Sequence, residues 1–240
     1  MIKYRKITFK RDDFRLDIGG LVIEHNQKVA ILGENGCGKS TFINLSCGLL
    51  GNQRIEFNGK RLKDMDTLDR ARTFALFAQN PEVTFPFTVF EIVRMGRFAV
   101  NGGAHTQADN DKTFEMLTLF DILKYSKRKF TELSGGEKRR VMLARAFNQD
   151  TPFLFLDEPV SMLDIRHSLE IMNIIDDSDK TIIASMHDIN LAARHFDRLI
   201  MMKEGQIVYD TLSRELTPQM IEEVYNVKVS SSIHNFGFII

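Results

Sequence analysis

The sequence contains few cysteines, no long apolar run and no excess of charge of either sign. Cys37 and Cys47 are the two cysteines among 240 residues, so a disulfide framework is not indicated and a reducing compartment fits. No apolar run approaches the roughly 18 residues of a membrane span. Residues 1–6 lack the apolar core of a signal peptide. We therefore expect a cytoplasmic protein.

The charges balance, because Lys plus Arg and Asp plus Glu both total 32. A neutral chain has no net field that would attract nucleic acid or an anionic membrane surface, so any polyanion must be held by a local site. With 43% hydrophobic residues, the chain can bury a full core. Its length favours one large domain, with or without an insertion, over two independent domains.

The order of apolar patterns predicts an α/β protein with a helical insertion. Residues 2–31 have strand patterns, which predict antiparallel strands leading into a buried strand at 29–32. From 82 to about 150 almost nothing has a strand pattern, and helices are predicted to start at Thr88, Thr106 and Ser134. Helical spacing in the second of these predicts three buried side chains, Phe114, Leu117 and Phe120. We interpret 82–150 as a helical subdomain inserted into an α/β core.

A glycine-rich stretch with phosphate-binding spacing follows the strand at 29–32. It fits G-x-x-x-x-G-K-[ST] and precedes a predicted helix at 42–50. Glycines let backbone N–H groups wrap an anion, and a helix N-terminus presents partial positive charge to phosphates. The pattern predicts that Lys39 reaches the β- and γ-phosphates of a nucleotide and that the Ser40 hydroxyl holds Mg²⁺. The candidate nucleotide-binding residues of this P-loop are Gly33, Glu34, Asn35, Gly36, Cys37, Gly38, Lys39, Ser40 and Thr41.

Two acidic residues directly follow an entirely apolar predicted strand at 153–156. In an open α/β sheet, ligands sit at the carboxyl ends of strands. Asp157 is therefore a candidate Mg²⁺ ligand opposite Ser40. Glu158, which Pro159 is expected to hold in an extended conformation, is the candidate to orient and deprotonate an attacking water.

Two further polar residues also come just after a predicted strand. His187 comes after the predicted strand at 181–186, and we interpret it as a γ-phosphate contact rather than an ordinary surface histidine. Gln79 follows the predicted strand at 73–77. Taken alone, Gln79 is equally consistent with a plain loop residue.

The stretch from Leu133 to Glu137 has two features that point in different directions. Ser134 and Glu137 have the spacing of a capping box, and a helix start would explain both. Gly135 and Gly136 remain unexplained by that interpretation, since glycines cost stability in the first helical turn unless the backbone must approach something closely. A second phosphate-binding helix terminus without a lysine is what a protein needs to bind the far side of a nucleotide held by another P-loop.

Together these motifs resemble the nucleotide-binding subunits of ABC transporters. They occur in family order and at family spacing along essentially the whole chain: the P-loop, Gln79, 133–137, 153–158, 161–164 and His187. The resemblance implies a P-loop NTPase fold of the ABC ATPase type, with a RecA-like core, an N-terminal antiparallel β subdomain and the inserted helical subdomain. It also implies ATP and Mg²⁺ as cofactors, with metal ligands Ser40, Gln79 and Asp157.

The same resemblance implies a head-to-tail dimer of two copies of the chain. Each ATP would lie between one copy's P-loop and the signature residues of the other, namely Ser134, Gly135 and Gly136. ATP hydrolysis would depend on Glu158, His187, Gln79 and Lys39.

The resemblance also implies partners at the cytoplasmic face of the membrane. The segment at about 81–97 would contact integral membrane permease subunits, and Asp164 would lie across the dimer seam. A substrate-binding protein would take part indirectly. Nucleic acid is not an expected partner.

The family also stacks adenine on an aromatic residue in the N-terminal strands. The aligned position falls near Lys10, which leaves Phe9 and Phe14 as candidates, and Phe9 is our choice. At the loop itself, Lys39 and the backbone N–H groups are expected to favour a reactive thiolate at Cys37. An inert small residue there is the alternative.

Three stretches are similar to the ATPases of iron-siderophore, haem and cobalamin importers, namely 88–97, 188–194 and 216–225. Phe98, Ala99 and Val100 depart from that subgroup, which commonly carries an aromatic residue, proline and histidine there. An ATPase for zinc, manganese or an exported compound is one alternative. A soluble ABC ATPase acting on DNA or ribosomes is another, although such proteins typically carry a long coiled coil or two cassettes, and neither is visible.

Overall fold

A computed structural model of the chain describes residues 1–51, 54–78, 85–100, 102–104, 106–232 and 235–239. The backbone divides into two compact units. The first unit combines Met1–Asp64 with Ile175–Ile240, and the second unit is Met65–Ile174.

The strands are numbered in chain order, and the eighth and ninth belong to the second unit. They are β1 (Ile2–Tyr4), β2 (Ile7–Arg11), β3 (Phe14–Ile18), β4 (Leu21–Ile23), β5 (Lys28–Gly33), β6 (Ile55–Phe57), β7 (Lys60–Arg61), β8 (Phe74–Phe77), β9 (Phe153–Asp157), β10 (Thr181–Ser185), β11 (Arg198–Lys203), β12 (Gln206–Leu212), β13 (Lys228–Ser232) and β14 (Asn235–Ile239).

The helices are numbered in the same way. They are α1 (Lys39–Ser46), α2 (Thr67–Thr73), α3 (Val89–Arg94), α4 (Gln107–Leu119), α5 (Gly135–Asn148), α6 (Ile165–Asp176), α7 (Ile189–His195) and α8 (Pro218–Tyr225). Short 3-10 segments occur at Leu62–Asp64, Met95–Ala99, Leu123–Tyr125, Phe130–Glu132 and Ser213–Glu215. Among the described residues, we find no helix with the length and apolar content needed to cross a bilayer.

In the first unit, β5 lies inside a sheet, between β10 and β11, and it runs parallel to both. Ile31 stands opposite Ser185 on one side and Ile200 on the other. A strand with both edges paired and both faces covered needs apolar side chains throughout, which explains the run at 29–32. Because β5 and β10 are parallel, the loops that follow them leave the sheet from the same edge.

The N-terminal strands of the first unit are largely antiparallel, as predicted. Strands β2 and β3 form an antiparallel pair, and β1 pairs antiparallel with both β4 and β6. A tight turn follows β6. Asn58 and Gly59 have φ angles of 51° and 83°, the left-handed backbone that a two-residue hairpin turn requires.

Several helices begin at a residue whose side chain accepts a hydrogen bond from a backbone N–H group of the first turn. Thr88 and Ser134 form the predicted capping boxes of α3 and α5, and Thr106 does the same for α4. Thr217 caps α8, with Pro218 in its first turn. The predicted starts of α3, α4 and α5 are therefore confirmed.

The second unit contains the parallel pair β8 and β9 and a group of helices. Over the described residues from 85 to 150 the regular elements are helical, apart from one isolated bridge between Thr88 and Lys129. The inserted-subdomain boundaries of 82–150 stay a prediction.

One burial prediction in α4 is wrong. Leu117 and Phe120 are buried, but the Phe114 side chain is 46% exposed. Its ring packs against Phe90 with 4.9 Å between centroids, so it covers one neighbour at the surface instead of entering the core. Helical spacing identifies the apolar face of a helix but not where the packed surface ends.

Candidate active site

The P-loop joins β5 to α1 within the first unit. Gly33, Gly36 and Gly38 have φ angles of 145°, 81° and 111°, a region that side chains with a Cβ rarely adopt. Gly38 precedes the first residue of α1 and provides no side-chain cap, so the first backbone N–H groups of that helix face the loop. This arrangement of N–H groups at a helix N-terminus is suited to bind phosphate.

Lys39 closes the P-loop on itself. Its ammonium Nζ donates to the carbonyl oxygens of Gly33 at 2.7 Å and Glu34 at 3.0 Å, and the residue is buried. The two contacts keep the only cation of residues 33–41 inside the loop. A charged donor held there can pair with phosphate oxygens.

The base of the P-loop is tightly packed. A Cβ on Gly33 would overlap the Met202 carbonyl oxygen and would lie 2.7 Å from the Cys37 sulfur, so larger residues do not fit. The Tyr225 hydroxyl, at the end of α8, accepts a hydrogen bond of 2.8 Å from the Gly33 N–H. The sequence-based reasoning missed this contact, because the two residues lie 192 positions apart.

The expectation of a thiolate at Cys37 is wrong. The side chain is buried, and burial raises the pKa of the thiol more than the nearby Lys39 charge lowers it. The thiol points back under the loop toward Gly33. Burial in a tightly packed loop therefore outweighs the electrostatic attraction on which the expectation was based.

Both adenine-stacking candidates lie in the strand pair β2 and β3. Phe9 stands opposite Leu16, and its side chain is partly exposed. Phe14 lies against the P-loop, since a Cβ on Gly38 would approach its ring to 2.8 Å. The structure thus places Phe14 beside the loop, while the role of Phe9 stays a prediction.

His187 lies at the same sheet edge as the P-loop. It follows β10, the parallel neighbour of β5, and the Met186 N–H donates to the Ile31 carbonyl at 3.0 Å just before it. The residue is exposed, and Asp188 directly after it caps α7. The first unit therefore brings together the P-loop and the predicted γ-phosphate contact.

In the second unit, Asp157 is the last residue of β9 and Glu158 directly follows it. Asp157 is buried, whereas Glu158 is partly exposed. The expected extended backbone at Glu158 is wrong, because its φ of 54° lies in the left-handed region. Proline disfavours the right-handed helical region for the residue before it. The left-handed turn avoids that region and lets the Ser161 N–H donate to the Glu158 carbonyl at 3.2 Å.

A second backbone contact at Glu158 was not predicted. The guanidinium of Arg139, on α5, donates to the carbonyl oxygens of both Glu158 and Pro159. In the sequence the only sign of this contact was an arginine on the buried face of a predicted helix.

The capping box at the start of α5 includes an ionised carboxylate. The Ser134 N–H and hydroxyl each donate to Glu137 Oε2 at 2.8 Å. Hydrogen bonds from Tyr125 and then from Ser134 lower the pKa of Glu137 to about 2. A negative charge in the first turn also complements the helix dipole.

Within the described part of the chain, no close contact explains the two glycines at the start of α5. A Cβ on Gly135 would meet no atom within 4 Å, and one on Gly136 would only reach Leu163 at 3.4 Å. Both residues have ordinary helical backbone, and neither belongs to the positive-φ residues. The absence of side chains here leaves the first turn of α5 open to a ligand from outside.

The remaining predicted residues fall into two groups. Asp164, just before α6, accepts hydrogen bonds from the His167 N–H and ring, and these lower its pKa. Gln79 and the start of the segment at 81–97 lie outside the described residues.

Oxygen ligands of the kind that suits Mg²⁺ occur in each unit. Within the described ranges, no group of three or more His, Cys, Asp or Glu side chains could hold a metal by itself. Mg²⁺ typically takes one or two carboxylates plus substrate phosphates and water. Asp157 in the second unit and Ser40 in the first each offer one hard oxygen ligand of that kind.

Comparisons with known proteins identify relatives along most of the chain. The sequence profile described as "ABC transporter" matches residues 17–161. The hemin import ATP-binding protein HmuV of Pseudoalteromonas translucida is 34% identical over 85% of this chain and 84% of its own length. The iron(3+)-hydroxamate import ATP-binding protein FhuC of Bacillus subtilis is 34% identical over 82% of this chain and 77% of its own length.

A solved structure shows the same fold. The post-hydrolysis dimer of the ATP-binding cassette MJ0796, bound to ADP and Pi, superposes with a TM-score of 0.79 at 25% identity, over 90% of this chain and 100% of that one. The predicted fold class is thereby confirmed. With its P-loop and the matching profile over more than half of its length, the chain belongs to the ABC transporter family of ATP-binding proteins.

Proposed function

We propose that this chain binds and hydrolyses ATP to drive an importer of an iron complex, with iron-siderophore, haem or cobalamin as cargo. The names of its relatives support this, because they are hemin and iron-hydroxamate import ATP-binding proteins. The observation that carries the mechanism is the open first turn of α5 in a chain that also has a P-loop.

In this mechanism each residue has a defined role. Lys39 and the P-loop N–H groups hold the β- and γ-phosphates of ATP. Ser40, Asp157 and Gln79 would hold Mg²⁺, and the ion would supply positive charge that offsets the charge developing on the phosphate. Glu158 takes a proton from the attacking water.

Two residues complete the proposed site on the nucleotide. His187 donates a hydrogen bond to the γ-phosphate, and its place at the P-loop edge of the sheet supports that role. Phe9 stacks on adenine, with Phe14 as the alternative because it contacts the loop. Substituting each phenylalanine by alanine and measuring KM for ATP distinguishes the two candidates. Loss of the stacking residue should raise KM, whereas loss of the other should leave it unchanged.

The proposed working unit is a head-to-tail dimer of two copies. Ser134, Gly135 and Gly136 of one copy then contact the ATP held by the P-loop of the other. The open space around Gly135 supports this arrangement, and so does the dimeric state of the MJ0796 cassette with a similar fold. Asp164 would lie near the dimer seam, where its neighbours Met162 and Ile165 are exposed.

Permease subunits in the membrane are the proposed partners of the second unit. Phe85, Phe87 and Phe98 are exposed aromatic residues there, which supports a contact with another protein. The chain would then lie at the cytoplasmic face of the membrane as a peripheral subunit. A substrate-binding protein would deliver the cargo from the other side.

Glu158→Gln tests the catalytic role in the purified protein. Loss of the carboxylate removes the base but leaves the P-loop unchanged, so we expect ATP binding to persist and turnover to fall by at least about a hundredfold. ATP should also shift this variant from monomer to dimer in gel filtration. Turnover at the wild-type rate would refute Glu158 as the base.

Uptake measurements test the cargo. A strain carrying Lys39→Ala should lose import of at least one of three labelled compounds, a ferric siderophore, haem or cobalamin, and keep normal zinc and manganese uptake. Loss of zinc or manganese uptake alone would favour the other importers. Normal transport with defective nucleic-acid or ribosome function would favour a soluble ABC ATPase.

A further inference from the structure

Arg139 binds two consecutive carbonyl groups directly after β9. Its Nε donates to the Pro159 oxygen at 3.1 Å, and its terminal nitrogen donates to the Glu158 oxygen. The residue is 8% exposed, and its guanidinium lies 5.1 Å from the centre of the Phe77 ring. The planar guanidinium is thus fixed from two sides, and its position fixes the two carbonyls in turn.

These contacts act on a backbone turn that is unfavourable by itself. Glu158 has a φ of 54°, which residues other than glycine seldom adopt and which persists only where surrounding contacts enforce it. The direction in which the Glu158 side chain leaves the backbone depends on that φ. Two donors hold the Glu158 carbonyl in this turn, namely the Arg139 guanidinium and the Ser161 N–H.

The helix that carries Arg139 also carries the open glycines. Arg139 follows Gly136 by three residues, so it lies about one helical turn inside α5. A shift of the first turn of α5 therefore moves the guanidinium and the carbonyls bonded to it. One helix connects the turn that is open to an outside ligand with the backbone of Glu158.

We propose that Arg139 is a positioning residue that holds Glu158 in its catalytic orientation and links it to the first turn of α5. This inference rests on the proposed role of Glu158 as the base. Its chemistry involves no new bond, since Arg139 acts only through two carbonyl groups. Binding of nucleotide by Ser134, Gly135 and Gly136 would then align the base of the same chain.

Arg139→Met tests the proposal, because methionine fills the space of the arginine stem without any donor. We expect kcat to fall by about tenfold to a hundredfold, with KM for Mg-ATP within about twofold of wild type. Arg139→Lys keeps the positive charge and one donor nitrogen, so its kcat should lie between those of the wild type and Arg139→Met. A loss confined to kcat distinguishes misaligned Glu158 from a damaged nucleotide site.

Arg140→Met is the matched control. Arg140 is the next residue of α5 and is equally buried, but it donates to the Phe120 and Asp121 carbonyls instead of Glu158. We expect this variant to lose about as much thermal stability as Arg139→Met does, and to keep a kcat within about twofold of wild type. Equal losses of kcat in the two variants would mean that Arg139 merely stabilises the helix, and the proposal would be wrong.

A double-mutant cycle with Glu158→Gln gives the decisive result. If Arg139 acts through Glu158, Arg139→Met should lower the single-turnover rate in the wild type but not in the Glu158→Gln protein. Additive losses, or wild-type kcat in folded Arg139→Met, would overturn the inference. If Arg139→Met does not fold, Arg139→Lys replaces it in the same cycle. A kcat of Arg139→Lys equal to that of the wild type would then refute the positioning role of Arg139. Full turnover by Glu158→Gln alone would instead refute the proposed function.

Discussion

The hydroxyl of Tyr225 accepts a hydrogen bond from the backbone N–H of Gly33, with 2.8 Å between the two heavy atoms. This contact connects the end of α8 to the first residue of the P-loop. Burial raises the pKa of the Tyr225 phenol, so the group stays neutral at physiological pH. The C-terminal helix thereby helps to shape the loop that is proposed to bind phosphate.

Tyr225→Phe should weaken nucleotide binding. The change removes the acceptor of the Gly33 N–H, a loss of about 1 kcal/mol that corresponds to about a fivefold rise in KM for Mg-ATP. Steady-state ATPase assays measure the change in KM, and equilibrium unfolding of the same protein measures the change in stability.

Tyr209→Phe is the control for this change. It removes a hydroxyl from the same part of the chain, but that hydroxyl donates to Glu223 instead of the P-loop. We expect its KM to match wild type. An unchanged KM in Tyr225→Phe, or an equal rise in both variants, would contradict a role for Tyr225 in shaping the loop.

Sequence reasoning succeeded where the relevant contacts are local. The three P-loop glycines, the capping boxes at Thr88 and Ser134, and the apolar strand before Asp157 are each specified within a few residues. Local preferences of this kind can be deduced from spacing, because neighbours in the sequence are neighbours in the fold.

The missed features depend on contacts between distant segments. Pro159 predicted an extended Glu158, but Arg139, 19 positions earlier, binds the Glu158 carbonyl across a left-handed turn. Likewise, a cysteine beside Lys39 suggested a thiolate, and only the packed structure shows that it is buried. Tertiary packing of this kind has no signature in the spacing of residues.

The C-terminal hairpin of β13 and β14 was also absent from the sequence-based predictions. Its strands pair from Lys228 with Ile239 to Ser232 with Asn235. The serine-rich composition of the first strand, Ser230 to Ser232, has weak strand preference. Pairing with the apolar second strand decides the conformation.

Glu137→Gln should reduce stability in a pH-dependent way. The folded pKa of about 2 lies below that of an unfolded glutamate, so the ionised capping box stabilises the fold above pH about 4.5 and progressively less as pH falls toward 2. We expect a free energy of unfolding lower by about 1 kcal/mol at pH 7. The difference from wild type should shrink as the pH is lowered below 4.5.

Urea titrations of both proteins at pH 7 and pH 4 measure this effect. Glu132→Gln provides a control, because Glu132 is exposed and lies outside the capping box. A difference between wild type and Glu137→Gln that grows toward low pH would contradict the role of the ionised carboxylate.

Cys37 should react slowly with alkylating agents. Its raised pKa and burial leave little accessible thiolate at pH 7.5. A Cys47→Ala protein retains Cys37 as its single cysteine, and its reaction with iodoacetamide should be slower than that of glutathione under the same conditions. Reaction as fast as glutathione, with protection by ATP, would instead support an accessible thiolate in the loop.

We propose that each ATP site is built from two copies of the chain. Lys39→Ala removes the P-loop cation, whereas Gly135→Asp places a negative charge where the partner's phosphate is proposed to bind. An aspartate there suits the first turn of α5, and its Cβ meets no atom within 4 Å, so the variant should fold. Each variant alone should lose ATPase activity by at least about a hundredfold.

Mixing the two inactive variants is the most direct test. A mixed dimer contains one site in which an intact P-loop faces an intact signature turn, so random pairing should restore about a quarter of wild-type activity. We expect this recovery at equal total protein concentration. No recovery in a mixture shown to contain mixed dimers, or full activity of Gly135→Asp alone, would refute an ATP site shared by two copies.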